Sequence, residues 1–361
     1  PRPLLITYWP RFSRVRYTRF AARAVAMLMT AVSKRAVALL SQEAARYHWA
    51  FQSGRRVSFS LLAVVGPTAS GKTALALELA AALENSGQPV EIINADAMQL
   101  YAGMDIGTAK LSIAERSNPP HHLFDILTPA QEMTAVEYQR VARDTCQEII
   151  ARGKLPIFVG GSMFYLAAAL DQLDFAPTDV QVRLRLEQES ASAGAWAMHE
   201  RLRKLDPVTA DKIPAQNVRR VIRALEVIEI TGESYASTLP EPRYWKPALQ
   251  IGLAVDREEL KRRILLRVEA MWQQGITREV EQLLAQGELG KTARMAIGYK
   301  QAIAQLNGEL SQAEAMAETV ALTNRYARRQ MSWFRRDKRI GWISANEPLI
   351  PQALNLIRLG A

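Results

Sequence analysis

The feature that most constrains this chain is a glycine-rich loop set between a short apolar run and an Ala/Leu-rich segment. The loop reads Gly66-Pro67-Thr68-Ala69-Ser70-Gly71-Lys72-Thr73 and matches the G-x-x-x-x-G-K-[ST] pattern in full. Residues 60–65 before it predict a buried parallel strand, and residues 72–83 after it predict a helix. Glycines let backbone N–H groups converge on an anion, and a helix N-terminus adds partial positive charge. The loop therefore predicts a polyphosphate or pyrophosphate ligand, but it does not by itself indicate ATP.

Strand and helix patterns alternate on both sides of a charged, helical stretch. Strands are predicted at residues 90–94, 155–159, 251–255 and 342–343, and helices at 136–152, 257–286 and 311–336. Such alternation is typical of an α/β fold, here a P-loop doubly wound parallel-sheet core. Residues 172–246 contain no convincing strand, and we expect a helical insertion domain there. The predicted core consists of residues 58–171 and 247–361.

Charge is distributed unevenly along the chain. The 361 residues carry a formal net charge of +10, but residues 1–57 alone hold eleven Lys or Arg and one acid, Glu43. The remaining 304 residues are neutral, so the basic character belongs to a tail that we expect to be disordered or non-native. Three interpretations stay open for it: an upstream stretch joined to the reading frame, a targeting segment, or an RNA-tethering arm.

An acidic residue that could serve the loop follows the strand at residues 90–94. That residue is Asp96, whereas the strand at 155–159 ends in Gly160-Gly161-Ser162 without an acid, which weakens a plain ATPase interpretation. The pair His121-His122 has no third ligand at metal spacing and is predicted to be a structural turn. The single cysteine, Cys146, excludes an intramolecular disulfide and is predicted to be a buried apolar residue.

Ordered motifs make the chain resemble the tRNA dimethylallyltransferases of bacterial type, over about residues 60–345. The longest matching stretch besides the phosphate loop begins with Asn94-Ala95-Asp96-Ala97-Met98-Gln99-Leu100-Tyr101 and ends with Asp105-Ile106-Gly107-Thr108-Ala109-Lys110. Further matches in the first half of the chain are Pro120-His121-His122-Leu123-Phe124-Asp125 and Gly160-Gly161-Ser162-Met163-Phe164-Tyr165. Later matches include Arg223-Ala224-Leu225-Glu226-Val227, Ala296-Ile297-Gly298-Tyr299-Lys300, and Arg328-Arg329-Gln330 with Trp333-Phe334-Arg335. So many motifs in one order indicate the family rather than the P-loop alone.

The resemblance implies a prenyl transfer. A dimethylallyl group would move from dimethylallyl diphosphate to the exocyclic amine of the adenosine 3′ of the anticodon in tRNA, and diphosphate would leave. Residues 66–73 would bind diphosphate with help from Mg²⁺, for which Thr73 is the candidate ligand. Lys72 and Arg267 would stabilise the leaving charge, and Asp96 would act as general base.

The resemblance also implies tRNA contacts in three parts of the chain. These are Asp96, Ala97, Met98 and Gln99 after the second strand, Ser162 after the third, and Arg183, Arg219, Arg220, Val221, Ile222 and Arg223 in the insertion. For the three arginines at 219, 220 and 223, a solvated helix face is the alternative. For Arg328, Arg329, Trp333, Phe334 and Arg335, clamping of an RNA backbone and core packing with exposed arginines are equally compatible with the pattern.

Two other functions compete with prenyl transfer. A P-loop small-molecule kinase would use the helical insertion as a lid, and a non-catalytic RNA-binding protein would keep the loop as a relict. The stretch from residue 96 to 110 has no role in a kinase, and the intact Gly71, Lys72, Thr73 and Asp96 disfavour a relict loop. We expect a cytoplasmic monomer whose partners are the tRNA anticodon stem-loop and dimethylallyl diphosphate, with no membrane partner.

Overall fold

The computed structural model describes residues 59–235 and 241–360 and is built on a six-stranded, all-parallel sheet. The strand order is β3-β2-β4-β1-β5-β6. The strands are β1 Leu61–Val65, β2 Val90–Asn94, β3 His121–His122, β4 Leu155–Gly160, β5 Ala248–Ala254 and β6 Ile340–Ser344. The predicted doubly wound α/β core is therefore confirmed.

Helices cover both faces of the sheet, which is why its central strands read as continuous apolar runs. They are α1 Lys72–Asn85, α2 Ala135–Ala151, α3 Met163–Leu170, α4 Val180–Ala193, α5 Ala195–Leu205, α6 Pro207–Lys212, α7 Val218–Thr231, α8 Arg257–Gln274, α9 Ile276–Gln286, α10 Lys291–Arg294, α11 Tyr299–Leu306, α12 Gln312–Phe334 and α13 Leu349–Leu359. Alternate β1 residues point to opposite faces: Leu62 and Val64 pack with α1 and α13, and Leu61 and Ala63 pack on the side of α2.

Two sequence predictions about local structure are wrong. The helix predicted over residues 257–286 is broken at Gly275, whose φ of 92° ends α8 and starts α9. Glycine adopts this left-handed conformation without a steric penalty. The pair His121-His122 is an edge strand rather than a turn, since it pairs in parallel with Ile92 and Ile93 of β2. In addition, His122 Nε2 lies 2.6 Å from Glu91 Oε2, a contact that fastens this edge.

Helices α4 to α7 lie between α3 and β5 and have an apolar cluster of their own. This group of helices, the insertion, packs mainly on itself. Its centre contains Glu226, which is fully buried and accepts hydrogen bonds from Arg183 and Arg223. At its base the two connecting segments run side by side, because the Gln172 N–H donates to the Arg243 carbonyl at 2.7 Å.

The basic tail at residues 1–57 lies outside the described residues, so the expectation about its order stays a prediction. Cys146 is buried among apolar residues of α2 and its neighbours, as the sequence predicts. Among the residues that the structure describes, no helix is long and apolar enough to span a membrane.

Candidate active site

A cavity of about 460 Å³ lies at the carboxyl edge of the sheet, where the phosphate loop, the residues after β2 and the start of α8 meet. Its volume falls in the range of small-molecule sites. The lining includes three cations, Lys72, Arg263 and Arg267, and a set of apolar side chains. The apolar lining residues are Ala69, Ala76, Ile92, Ala109, Leu111, Phe124 and Val159. The cavity can therefore hold a ligand with a charged end and a hydrocarbon end.

The phosphate loop forms the polar wall. Gly71 has a φ of 98° and caps the N-terminus of α1, so the first free N–H groups of that helix face the loop. The Lys72 ammonium donates to the Pro67 carbonyl at 2.7 Å. Burial lowers the pKa of Lys72 to about 8, while the nearby Asp96 carboxylate opposes and the Arg267 guanidinium adds to this shift. An incoming anion would restore the pairing that the buried ammonium lacks.

Asp96 is held in place by the residues around the end of β2. Its backbone N–H donates to Asn94 Oδ1 at 2.9 Å, and Asn94 is itself buried and donates to the Leu123 carbonyl. One carboxylate oxygen, Oδ1, accepts from the Met98 N–H at 3.0 Å and caps the short 3-10 helix Ala97–Leu100. Among the described residues no donor contacts Oδ2. The second oxygen is thus available to a ligand in the cavity.

Two arginines of α8 close the cavity from above the loop. Arg263 donates to the Ser70 carbonyl at 3.1 Å and also pairs with Glu259. Arg267 Nη1 lies 3.4 Å from Thr68 Oγ1, and burial lowers the pKa of this guanidinium, against the attraction of Asp96. Two guanidinium groups beside a helix N-terminus suit a ligand with more than one negative charge.

Gln330 of α12 connects the loop to the end of β4. It is buried, its Oε1 accepts from the Thr68 N–H at 2.8 Å, and its Nε2 donates to the Gly161 carbonyl at 2.8 Å. The close packing requires glycines here. A Cβ on Gly160 would lie 2.1 Å from the Ala95 carbonyl oxygen, and one on Gly161 would lie 2.4 Å from Gln330 Nε2.

Residues 101–127, the cover segment, form the apolar roof of the cavity. Both ends are tied together, since Tyr101 and Leu127 form a parallel bridge. Lys110 belongs to this segment, and its side chain is only 1% exposed. Its ammonium bonds Asp105 at 2.7 Å, Asp125 at 2.6 Å and the Tyr101 carbonyl at 2.7 Å. One buried cation thereby ties three parts of the segment to one another.

The predicted tRNA-contact residues after β2 and β4 come together at the cavity. Asp96 and Gln99 line it, and Gln99 donates to the Thr108 carbonyl at 3.1 Å. The Ala97 N–H donates to Ser162 Oγ at 2.8 Å, so the two segments are directly joined. Met98 is half-buried against the core. These positions are compatible with a nucleotide arriving beside Asp96.

The predicted contacts in the insertion are not brought to the cavity, because none of them lines it. Arg219 and Arg220 are exposed, whereas Arg183 and Arg223 bond the buried Glu226. Val221 and Ile222 have their side chains buried in the apolar cluster of the insertion, and their part in tRNA contact stays a prediction. On α12, Phe334 is buried in the main core and Trp333 is 41% exposed.

Comparisons with known proteins agree with this geometry. Residues 99–337 match the model of the IPP transferase family, described as IPPT. The tRNA dimethylallyltransferase of Salinispora arenicola is 48% identical over 304 residues, which cover 84% of this chain and 87% of the relative. The chain belongs to the tRNA dimethylallyltransferase family.

Solved structures of family members share the fold. The full-length tRNA isopentenylpyrophosphate transferase of Bacillus halodurans is 36% identical, with a TM-score of 0.61, and the alignment covers 83% of this chain and 96% of that one. A eukaryotic dimethylallyltransferase acting on tRNA is 26% identical, with a TM-score of 0.67, and the alignment covers 79% and 73% of the two chains.

Several residues at this family site were missed by sequence reasoning. Gln330 and Lys110 lie in quoted motifs, but nothing local to them indicates a partner elsewhere in the chain. Arg263 could have been found, because it lies one helical turn before Arg267 on the same face of a predicted helix. Tyr326 faces the same region, and burial together with Asp96 raises its pKa to about 12, although hydrogen bonds with Ser162 and Gln330 oppose the shift.

Proposed function

We propose that this protein transfers a dimethylallyl group from dimethylallyl diphosphate to the exocyclic amine of the adenosine 3′ of the anticodon in tRNA. Family membership supports prenyl transfer to tRNA. The observation in this chain that carries the proposal is the lining of the cavity. It combines the phosphate loop and the cations Lys72, Arg263 and Arg267 with a set of apolar side chains and a single carboxylate, that of Asp96.

The phosphate loop binds the diphosphate leaving group. As the allylic C–O bond breaks, negative charge grows on the diphosphate. The free N–H groups at the start of α1, the Lys72 ammonium and the guanidinium groups of Arg263 and Arg267 lie at the cavity and would stabilise that charge. Donors fixed in advance stabilise a developing charge more than mobile ones, because no reorganisation is needed during the reaction.

Asp96 accepts a proton from the nucleophile, the adenine amine. The adenine amine forms the new C–N bond with the allylic carbon and must lose one proton, which we assign to the free Oδ2 of Asp96. Asn94 holds the backbone of Asp96 and the Met98 N–H holds Oδ1 of its carboxylate, so the group is positioned before the proton arrives. The overall step exchanges one C–O bond for one C–N bond, and the electron pair of the broken bond leaves with diphosphate.

Magnesium fits the residues present. In the described part of the chain, no group of three or more His, Cys, Asp or Glu side chains could hold a metal. Mg²⁺ is commonly bound through one or two protein oxygens together with substrate phosphates and waters. Thr73, exposed in the first turn of α1, would supply such an oxygen, with Asp96 lining the same cavity. The ion, when bound, would neutralise part of the diphosphate charge.

The tRNA side of the proposal rests on flipping of the target base. A stacked adenine would not reach Asp96 at the cavity, so the nucleotide must leave its stack. We propose that residues 172–246, as a separate insertion domain, hold the anticodon stem-loop through Arg219 and Arg220. We further propose that the enzyme works as a monomer and in the cytoplasm, where unmodified tRNA is available.

A transfer assay with two controls tests the proposal. The protein is incubated with Mg²⁺, unmodified tRNA and dimethylallyl diphosphate labelled in the prenyl group, and the label is located by nucleoside analysis. We expect label on the adenosine 3′ of the anticodon. Replacing that adenosine by guanosine should abolish incorporation, since guanosine lacks the amine at that position. The second control is a parallel reaction supplied with ATP, in which hydrolysis of ATP without prenyl incorporation would indicate a kinase or ATPase and would overturn the proposal.

A further inference from the structure

The cavity crosses four strands of the sheet, from the phosphate loop to the edge strand β3. The loop follows β1, and the lining then includes Val159 of β4, Ile92 of β2 and His121 of β3. Neighbouring strands lie about 4.8 Å apart, so the three spacings from β1 to β3 amount to about 14 Å. The Phe124 ring also lines the cavity, and its centroid is 5.7 Å from that of His121. Phe124 therefore lies at the β3 end, across the sheet from the strand that leads into the loop.

The backbone on both sides of Phe124 is strained. Leu123 and Asp125 have φ angles of 62° and 55°, in the left-handed region that residues other than glycine adopt rarely. Asn94 Nδ2 holds this turn by donating to the Leu123 carbonyl at 2.9 Å. Strained residues persist only where the surrounding structure fixes them, and they are frequent at sites that hold a ligand. The two angles thus point to a use for the placement of the ring between them.

Charged and aromatic neighbours keep the Phe124 ring in place. The Asp125 carboxylate accepts from Lys110 at 2.6 Å and from Arg116 at 2.7 Å. The Arg116 guanidinium lies 4.9 Å from the centroid of the Phe124 ring, and the His121 ring meets it at an angle of 65°. Both kinds of contact are favourable. The ring could move aside for a ligand only by giving them up.

This part of the cavity extends below the edge of the sheet at which an RNA base would arrive. Ile92 lies inside β2, four residues before Asp96, and pairs with His121. Ala76, which also lines the cavity, lies in the second turn of α1. Burial of a hydrocarbon chain in such an interior space is favourable. A base that remains attached to its phosphate backbone would stay nearer to the edge.

We propose that Phe124 closes the hydrocarbon end of the cavity and restricts the enzyme to prenyl diphosphates with a single five-carbon unit. This inference rests on the proposed function. A chain longer by one isoprene unit, as in geranyl diphosphate, would meet the Phe124 ring, whereas the dimethylallyl chain would be enclosed by it. Phe124 takes no part in bond making or proton transfer. It acts as a specificity-determining residue.

Phe124→Ala, which shortens the side chain, tests the assignment against a matched control. The control is Phe175→Ala, because Phe175 is also half-buried but packs against Phe164 outside the set of lining residues. For each protein, kcat/KM for transfer to unmodified tRNA is measured with dimethylallyl diphosphate and with geranyl diphosphate. Binding of the two diphosphates without tRNA is measured by calorimetry. Phe124→Leu, a smaller change, keeps the test valid if the alanine variant does not fold.

The wild type should prefer dimethylallyl over geranyl diphosphate by at least about 10²-fold, since one extra methylene in a filled apolar pocket is already worth about 10–200-fold. Phe124→Ala should reduce this preference at least about tenfold, and Phe124→Leu should shift it less in the same direction. Phe175→Ala should keep the wild-type preference. An unchanged preference in the folded Phe124 variants, an equal reduction in Phe175→Ala, or equal use of both diphosphates by the wild type would overturn the proposal.

The outcome is separable from that of the proposed function. Calorimetry without tRNA reports how well each prenyl chain fits, whether or not the group is transferred. A wild type whose binding preference depends on Phe124 but which transfers no prenyl group would contradict only the proposed function. A wild type that transfers the dimethylallyl group with a preference independent of Phe124 would contradict only the role of Phe124.

Discussion

The phosphate end of the cavity and the insertion use their charged residues in opposite ways. At the loop, Lys72 and Arg267 are half-buried and have no carboxylate partner among the described residues, and desolvation lowers the pKa of both. In the insertion, Arg183 and Arg223 are committed to the buried Glu226. Unpaired buried cations are costly to the folded protein and favourable for binding an anion, whereas paired ones mainly stabilise the fold. A charged side chain therefore indicates a binding function best where no side chain of opposite charge pairs with it.

The largest expected effect on the rate of transfer comes from removing the base that deprotonates the nucleophile. Asp96→Asn keeps the cap to the Met98 N–H but removes the base, so single-turnover prenyl transfer should fall by about 10²–10⁴-fold, the usual contribution of a positioned base. Binding of dimethylallyl diphosphate, measured by calorimetry, should change little because the phosphate wall is intact. A variant with near-normal transfer would show that another group removes the proton.

The pH dependence of kcat/KM tests the role of the unpaired Lys72 ammonium at the phosphate loop. Lys72, with a pKa of about 8 in the free protein, is charged below that pH and neutral above it. The value of kcat/KM for dimethylallyl diphosphate should therefore fall above pH 8, by up to about tenfold per pH unit for a single required proton. Bound diphosphate favours the ammonium, so kcat should hold to higher pH. A flat kcat/KM profile up to pH 10 would contradict the role of Lys72.

Gln330→Ala tests whether Gln330 holds the phosphate loop in its binding conformation or only contributes to the stability of the fold. The Thr68 N–H and the Gly161 carbonyl would lose their partner, and KM for dimethylallyl diphosphate should rise about tenfold, equivalent to ~1.4 kcal/mol. Gln301→Ala is the matched control, because Gln301 is equally buried but bonds Gly298 and Glu318. Similar rises in KM for both variants would mean that the effect is only one of stability.

Lys110→Met tests whether the cover segment positions the prenyl group. With its buried cation gone, the segment should loosen, and KM for dimethylallyl diphosphate should rise about threefold to tenfold, the equivalent of one or two lost hydrogen bonds. Lys110→Arg should restore part of the loss. Lys154→Met breaks an ion pair to the buried Glu91 away from the cavity and serves as the control. Equal shifts of KM in the two Met variants would contradict a positioning role.

The smallest effect on catalysis is expected in the insertion. Glu226→Gln leaves Arg183 and Arg223 without their buried counter-charge, so amide exchange in α4 and α7 should speed up by an amount corresponding to about 1–3 kcal/mol. KM for dimethylallyl diphosphate should not change. Glu229→Gln removes a more exposed partner of Arg185 and should cost under about 1 kcal/mol. A changed KM for the diphosphate would show that the two regions are coupled.

Much of the core could be predicted because the sequence patterns that indicate its strands and helices are local. The β1 strand, the loop and α1 follow one another within about two dozen residues, and the β2 strand was placed at the residues that the structure gives it. The edge strand His121–His122 was missed because two residues carry no periodicity, and only pairing with β2 defines them. The break at Gly275 was missed because a glycine inside a helical pattern is often tolerated.

The site could be predicted less completely than the fold. The phosphate loop and an acid near it, Asp96, are recognisable from residue type and spacing, whereas the roles of Arg267 and of Asp96 as a base followed only from the family resemblance. Gln330 was not assigned, because its partner Thr68 lies 262 residues away and an isolated glutamine has no chemical signature. Val221 and Ile222 were included among the predicted tRNA contacts because the run 219–223 matches the family, and periodicity alone did not show that their side chains pack in the apolar cluster of the insertion.

The central claim is that the loop holds a diphosphate that leaves as the prenyl group moves to tRNA. It is tested most directly by a reaction with dimethylallyl diphosphate labelled differently in its prenyl and diphosphate parts, with Mg²⁺ and unmodified tRNA. We predict that one free diphosphate appears for each prenyl group found in tRNA, and that both products disappear together in Lys72→Met. Release of diphosphate without prenyl-tRNA, or turnover that requires ATP, would contradict the account.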